Sequence, residues 1–306
     1  MPNSTGLDFV PTTHHDTYPA IDPNKADLSG KVVLVTGASR GIGRATAIAF
    51  TQAGASGLVL LARSNMSAVE TECLAVRRPG RQIKLLLLSV DIRDPAQVIE
   101  AARQVEETFG RLDAIVNNAG YMETSKPMAE SDPYDWWKVW EVNIRGVYNM
   151  SHAFIPLLIE CGGDKLIVNM SSGMAHLIWA GSSAYQVLSH LLFLSMHLTR
   201  TGKTTKFALL RITESIMADY GTQGVLAFAL HPCITPTELN AKWAPEVRKM
   251  CIDTPELGAH TVVWLMRGRR DWLGGRYISA NWDVDELLAK RQEIVDGDKL
   301  KMRMVL

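Results

Sequence analysis

Short apolar runs alternate along this chain with longer amphipathic stretches. Residues 31–36, 57–61, 83–90, 113–117, 165–169 and 225–230 are continuously apolar rather than alternating. A strand covered by helices on both faces reads this way, because neither face meets water. Between them, residues 42–53, 65–78, 95–109, 133–160 and 205–220 carry apolar positions at helical spacing. Asp94 before Pro95 is an N-cap with proline at the first helical position, and Gly110 and Gly221 stand where helices should stop. The alternation predicts an α/β protein, a single doubly wound parallel sheet with helices on both faces. The first 28 residues break the pattern. They are polar, with His14, His15, Pro11, Pro19 and Pro23, and predict a flexible or surface-draped tail ahead of one domain over 29–306.

Composition excludes several classes of partner. Of 306 residues 47% are hydrophobic, enough for a large core, and 32 basic residues balance 32 acidic ones. That balance argues against nucleic acid or an anionic membrane as partner. The N-terminus lacks the apolar run of a secretory signal. The longest apolar segment, 187–198, is too short and too interrupted by Ser and His to span a bilayer. The four cysteines show no metal spacing and no disulfide density, so a reducing, cytoplasmic setting and no metal site are expected.

The first candidate chemistry lies between the first strand and the first helix. Gly37, Gly41 and Gly43 allow a tight turn and close approach to a pyrophosphate, and the helix start offers N–H groups and a positive dipole end. The second strand ends in Ala62–Arg63, where an acid would bind a ribose 2′-hydroxyl. With no carboxylate there, Arg63 and Arg40 suit the 2′-phosphate of NADP(H).

Several motifs recur in a telling order. Thr36-Gly37-x-x-x-Gly41-x-Gly43, Asn117-Asn118-Ala119-Gly120, Asn143 within residues 141–146, and Val168 to Ser172 resemble the short-chain dehydrogenase/reductase family. The resemblance spans about residues 28 to 280 and implies a Rossmann fold. It implies oxidoreduction between a ketone and a secondary alcohol with a nicotinamide cofactor. In that family's pattern Ser172 hydrogen-bonds the substrate oxygen, Tyr185 exchanges a proton with it and Asn143 helps to hold a water in the relay. A lysine binds the nicotinamide ribose and lowers the phenol pKa. The resemblance places Ser39, Arg40, Ile42, Ala119, Gly120 and Arg145 at the cofactor with the glycines. Asp91 would meet the adenine and Asn118 its ribose. Ile234, Thr235 and Thr237 would flank the nicotinamide, in a segment where Cys233 replaces the family's glycine.

The expected Tyr-x-x-x-Lys motif is interrupted. Four residues after Tyr185 stands Ser189, and Tyr185–Gln186 is separated from Thr204-Thr205-Lys206 by residues 187–203. Without that stretch the text reads Tyr-Gln-Thr-Thr-Lys, with Lys206 on the same helix face as Tyr185. Val187 has a codon beginning GT, Lys203 can end in AG, and Leu198–Thr199 can be written CTGAC, a branch-point sequence. These features, with a length suited to compact fungal introns, point to a retained intron. A genuine lineage-specific insertion is the alternative. Either the insert loops out, or Tyr185 starts a new helix that puts Ser189 or His190 at the cofactor. Thr201–Gly202 is expected to break helical continuity.

The remaining expectations concern substrate and assembly. Met174, His176, Leu177 and Trp179, with Trp243, Val247 and Met250 of a substrate lid over 238–255, suit a small to medium apolar carbonyl or alcohol. Trp136, Trp137 and Trp140 suggest core or interface packing. The resemblance implies a homodimer or homotetramer pairing the helix over 133–160 and the one carrying Lys206. Secondary metabolism is the suggested setting. A cofactor-binding protein whose insert has displaced the lysine is the competing reading, and epimerisation or dehydration with the same tyrosine stays open.

Overall fold

The apolar runs form strands because helices on both sides of a parallel sheet cover their faces. In the computed structural model, which describes residues 6, 8–124, 126, 128–176, 201–240, 248–249 and 251–304, they build one sheet. The strands are β1 (Val32–Thr36), β2 (Gly57–Ala62), β3 (Lys84–Ser89), β4 (Ala114–Asn117), β5 (Leu166–Met170), β6 (Leu226–His231) and β7 (Tyr277–Ser279). Their order is β3-β2-β1-β4-β5-β6-β7, all parallel. Successive residues point to opposite faces, so Val33, Val35, Leu58 and Leu60 join one core while Leu34, Val59, Leu61 and Ile115 join the other.

The helices lie where the spacing predicts, with instructive departures. They are α1 (Gly41–Gln52), α2 (Ser67–Val76), α3 (Pro95–Phe109), α4 (Pro133–Trp140), α5 (Gly146–Glu160), α6 (Thr201–Tyr220), α7 (Pro255–Met266), α8 (Val284–Ala289) and α9 (Arg291–Asp296). Asp94 caps α3 through the N–H groups of Ala96 and Gln97, and Gly110 ends it at φ 58°. The stretch 133–160 is not one uniform helix: a π-turn, Glu141–Arg145, joins α4 to α5. Thr201–Gly202, expected as a break, instead lies within α6. β7 and α7 to α9 have no counterpart in the sequence reading.

Of the two expectations for the N-terminal segment, flexible or surface-draped, the second describes residues 8–28. Residues 8–28 drape over the sheet's helices and are anchored there. Val10, Ile21, Ala26 and Leu28 are buried with α1 and α7 in one core. Arg78 Nη2 donates to the carbonyls of Pro23, Asn24 and Ala26, and Thr13 bridges Trp282. The apolar residues that anchor this strap are few and aperiodic, which is why the segment reads as a tail.

Candidate active site

The site lies at the carboxyl ends of the strands, beside the switch point between β1 and β4. The glycine turn there leaves no room for side chains. Gly37 sits at φ 64°, and a Cβ on it would lie 2.9 Å from Ala119 Cα. A Cβ on Gly43 would lie 2.3 Å from Gly37 O. Gly41, at φ 54°, faces the methyl of Thr237. The first turn of α1 has no side-chain cap, so its N–H groups stay available to an anion.

Neighbouring strands lock this turn. The Thr36 hydroxyl accepts from the N–H groups of Asn118 (3.0 Å) and Ala119 (2.9 Å). Asn118 Nδ2 donates back to Thr36 O (2.9 Å) and Gly37 O (3.3 Å). Asn118 therefore serves the turn itself, whatever it offers a ribose. Gly120 follows, exposed. At the β2 end, Ala62 is buried and Arg63 is exposed. Ser64 Oγ donates to Ser39 Oγ at 3.0 Å and ties the two loops together. Arg40 pairs with Glu238, both well exposed. Asp91 is held by Arg93, whose Nη2 lies 2.6 Å from Oδ2, and this keeps its carboxyl below the usual range.

The catalytic candidates meet one strand further on. Ser172 is buried just beyond β5. Lys206 on α6 donates from Nζ to Met170 O at 2.5 Å, and Ser171 Oγ donates to Lys206 O at 2.9 Å. Burial lowers the Lys206 pKa to about 8. Asn143 lies in the π-turn, a feature that recurs at functional sites. Its Nδ2 donates to Tyr121 O (3.0 Å) and to Thr205 Oγ1 (3.1 Å), and its Oδ1 accepts from Tyr121 N–H (2.9 Å). Asn143 thus bridges the loop after β4 to the residue beside Lys206. Arg145 closes the same turn, exposed. Below, Asn117 donates to Asn169 (2.8 Å) and Asn169 to Thr213 (3.0 Å), a buried polar ladder from β4 to α6. Tyr185, Ser189, His190, Leu177, Trp179, Trp243, Val247 and Met250 lie outside the described residues, as do 187–200 of the insert. Gly202 stands one turn before Lys206, where the motif requires the tyrosine.

The turn after β6 carries the strain that its sequence foreshadows. Cys233 takes the glycine position with φ 134°, a region L-residues avoid. Burial pushes its thiol well above the ordinary value, and Sγ donates to Thr254 O at 3.5 Å. Ile234 N–H is taken by Asp253 Oδ2 at 2.6 Å, and Thr235 is buried. His231 is buried and His176 half-buried nearby, and burial lowers each pKa to about 4. Sequence reasoning missed Thr205, Ser64, Asp253 and His15, because their roles appear only once separate elements are packed. Trp136 and Trp140 pack with tilted rings on α4, their centroids 6.0 Å apart, while Trp137 is 57% exposed and lies outside the core.

Comparison with known proteins agrees with this geometry. The short chain dehydrogenase family profile matches residues 31–187. The chain is 48% identical to "Short chain dehydrogenase mpl6" of Monascus purpureus, covering 100% of this chain and 99% of that protein. It is 42% identical to "Short chain dehydrogenase pigC" of Monascus ruber, over 97% and 94% of the two chains. Among solved structures, a short-chain type dehydrogenase/reductase from Mycobacterium marinum superposes with a TM-score of 0.70 at 23% identity, over 85% and 97% of the two chains. A 3-ketoacyl-(acyl-carrier-protein) reductase from Brucella melitensis, solved with NADH, gives 0.67 at 23% identity, over 83% and 97%. No helix among the described residues is long and apolar enough to cross a membrane. The chain belongs to the short-chain dehydrogenase/reductase family, and it is an oxidoreductase of that family.

Proposed function

We propose that this oxidoreductase uses NADP(H) to interconvert a ketone and a secondary alcohol on a small to medium apolar substrate. The observation that carries the reading is that α6 ties Lys206 to Met170 and Ser171, next to Ser172, while its Thr205 meets Asn143, whose amide lies beside Gly120. The nicotinamide, when bound, supplies or accepts the hydride. The glycine turn and the start of α1 hold the pyrophosphate. Arg63 and Arg40, with Ser39 and Ser64, suit a 2′-phosphate. The Arg40–Glu238 pair is exposed, so its loss to a phosphate costs little. Lys206, largely protonated at neutral pH, holds the nicotinamide ribose and stabilises a tyrosinate, while Ser172 donates to the substrate oxygen. The fungal relatives fit a place in secondary metabolism.

Residues 187–203 are best read as a retained intron translated in frame. Removing them would put Ala184, Tyr185 and Gln186 in the helical places of 201, 202 and 203. Tyr185 would then replace Gly202, one turn before Lys206 on the same face. The family profile stops at 187, where the interruption begins. A second reading, a cofactor-binding but catalytically impaired chain, is favoured by Gly202 itself. We read the exposed aromatics Tyr134, Trp137 and Tyr148 as part of a homodimer or homotetramer interface. The test is NADPH- and NADH-linked reduction of apolar ketones by the full chain and by the form lacking 187–203. NADPH-linked turnover in the shortened form supports the enzyme. Turnover in neither, with NADPH still bound, refutes it.

A further inference from the structure

Asp253 joins three segments that are remote from one another in the chain. The residue is 4% exposed. Oδ1 lies 2.6 Å from Nδ1 of His15 in the N-terminal strap. Oδ2 accepts from Ile234 N–H at 2.6 Å and from Asn281 Nδ2 at 3.1 Å. The Asp253 N–H returns a bond to Ile234 O at 3.2 Å. The strap is fastened to the same place by its backbone. Thr254 N–H donates to His15 O (2.9 Å), Thr254 Oγ1 to Asp16 Oδ1 (2.6 Å), and His14 N–H to Asn281 O (2.7 Å).

The position of this hub matters because of its neighbour. Ile234 follows Cys233, whose φ of 134° is one that a residue with a side chain resists. Such a conformation persists only where the surroundings over-determine it. Asp253 provides such surroundings. A carboxylate has several acceptor sites and can serve Ile234, Asn281 and His15 together. Cys233 Sγ meets the next carbonyl of the same segment, that of Thr254. His15 covers the carboxylate from outside, its own side chain 56% exposed.

We propose that Asp253 is a positioning residue for the turn over 232–237, and that the N-terminal strap holds it there through His15. The inference rests on the reading that this turn faces the nicotinamide. It makes the strap part of the frame of the cofactor site rather than a dispensable tail.

The test measures amide hydrogen exchange over 231–237 and NADPH Kd in the full chain carrying Asp253→Ala, Asp253→Asn or His15→Ala. Losing a hydrogen bond to a charged group should speed exchange at Ile234 and weaken NADPH by about tenfold in Asp253→Ala. Asp253→Asn keeps an acceptor for Ile234 N–H and should restore most of both. His15→Ala, altering a largely exposed ring, should shift both in the same direction by a smaller factor, and it decides the matter if Asp253→Ala does not fold. Unchanged exchange over 231–237 in Asp253→Ala or His15→Ala overturns the hub. Faster exchange with an unchanged NADPH Kd overturns the positioning role. If the unaltered chain binds no NADPH, the proposed function fails, while the exchange data still decide whether the hub exists.

Discussion

The two halves of the sheet hold their parts of the site in different ways. Around β1 and β4, contacts follow from strand register: Thr36, Gly37, Asn118 and Ala119 meet because their strands are neighbours. Around β5 to β7, the partners come from elements outside the sheet. Lys206 arrives on α6, Thr205 meets Asn143 of the π-turn, and Asp253 reaches Ile234 from one flanking segment while His15 meets Asp253 from another. The cofactor half is thus delivered by topology, and the catalytic half by bridges between independently placed pieces. Damage to the first should stay local. Damage to the second should travel.

The sharpest way to break the comparison is to change the chain ahead of α6. Deleting 187–203 should raise kcat/KM for NADPH-linked ketone reduction by about 10²-fold or more, since a missing acid–base group costs that much. Equal turnover in the two forms would show that the catalytic half tolerates the interruption. In the cofactor half the corresponding insult is a single methyl group. Gly43→Ala places a Cβ against Gly37 O, and such overpacking of backbone should weaken NADPH binding roughly tenfold to a hundredfold. Amide exchange should show a normal fold at β5 to β7, and unaltered NADPH affinity in a titration would mean the turn is looser than its contacts suggest. Arg63→Ala comes next: NADPH should weaken by about tenfold and NADH hardly at all. Equal losses for both cofactors would remove the 2′-phosphate assignment.

Acid should separate the halves as well. His231 and His176 both sit in the catalytic half with pKa values lowered to about 4 from 6.5. The unfolded chain therefore takes up these protons first. Stability that is present above pH 6.5 is lost as pH falls from 6.5 towards 4, by about 1.4 kcal/mol per pH unit for each histidine. Denaturant melts of the parent and of His231→Asn should show the slope flattening in the variant, and an unchanged slope would acquit this histidine. The smallest effect is expected at Cys233. Cys233→Gly relieves a positive φ but loosens the unfolded chain, for a net gain of about 1 kcal/mol. A lower Tm in the glycine variant would show that packing of the thiol outweighs the strain.

The same contrast explains what could be read from the chain. Six strands were legible because each is a continuous apolar run, and β7 was not, since three residues carry no pattern. The glycine turn was legible because the need for close approach selects glycine itself. Cys233 was legible as an oddity for the same reason, and its φ of 134° shows the cost. Asp253 and His15 were silent: an isolated acid and a histidine in a polar segment have no periodicity, and only packing brings them within 2.6 Å. The strap's anchoring was not legible because its few apolar residues, such as Val10 and Ile21, follow no period. The π-turn was hidden because its composition continues the helical pattern on both sides.

That turn has a mechanical consequence for the surface. Each residue of an α-helix advances its face by about 100°, and the wider π-turn adds part of a residue between α4 and α5. It therefore sets the angular phase between the aromatic stripe of Tyr134 and Trp137 and the stripe of Tyr148 and His152. A one-residue deletion within Glu141–Arg145 would restore a regular helix, withdraw Asn143 from Tyr121, and swing the two aromatic stripes out of alignment together. The joint couples the interior of the site to the shape that the protein shows to its neighbours.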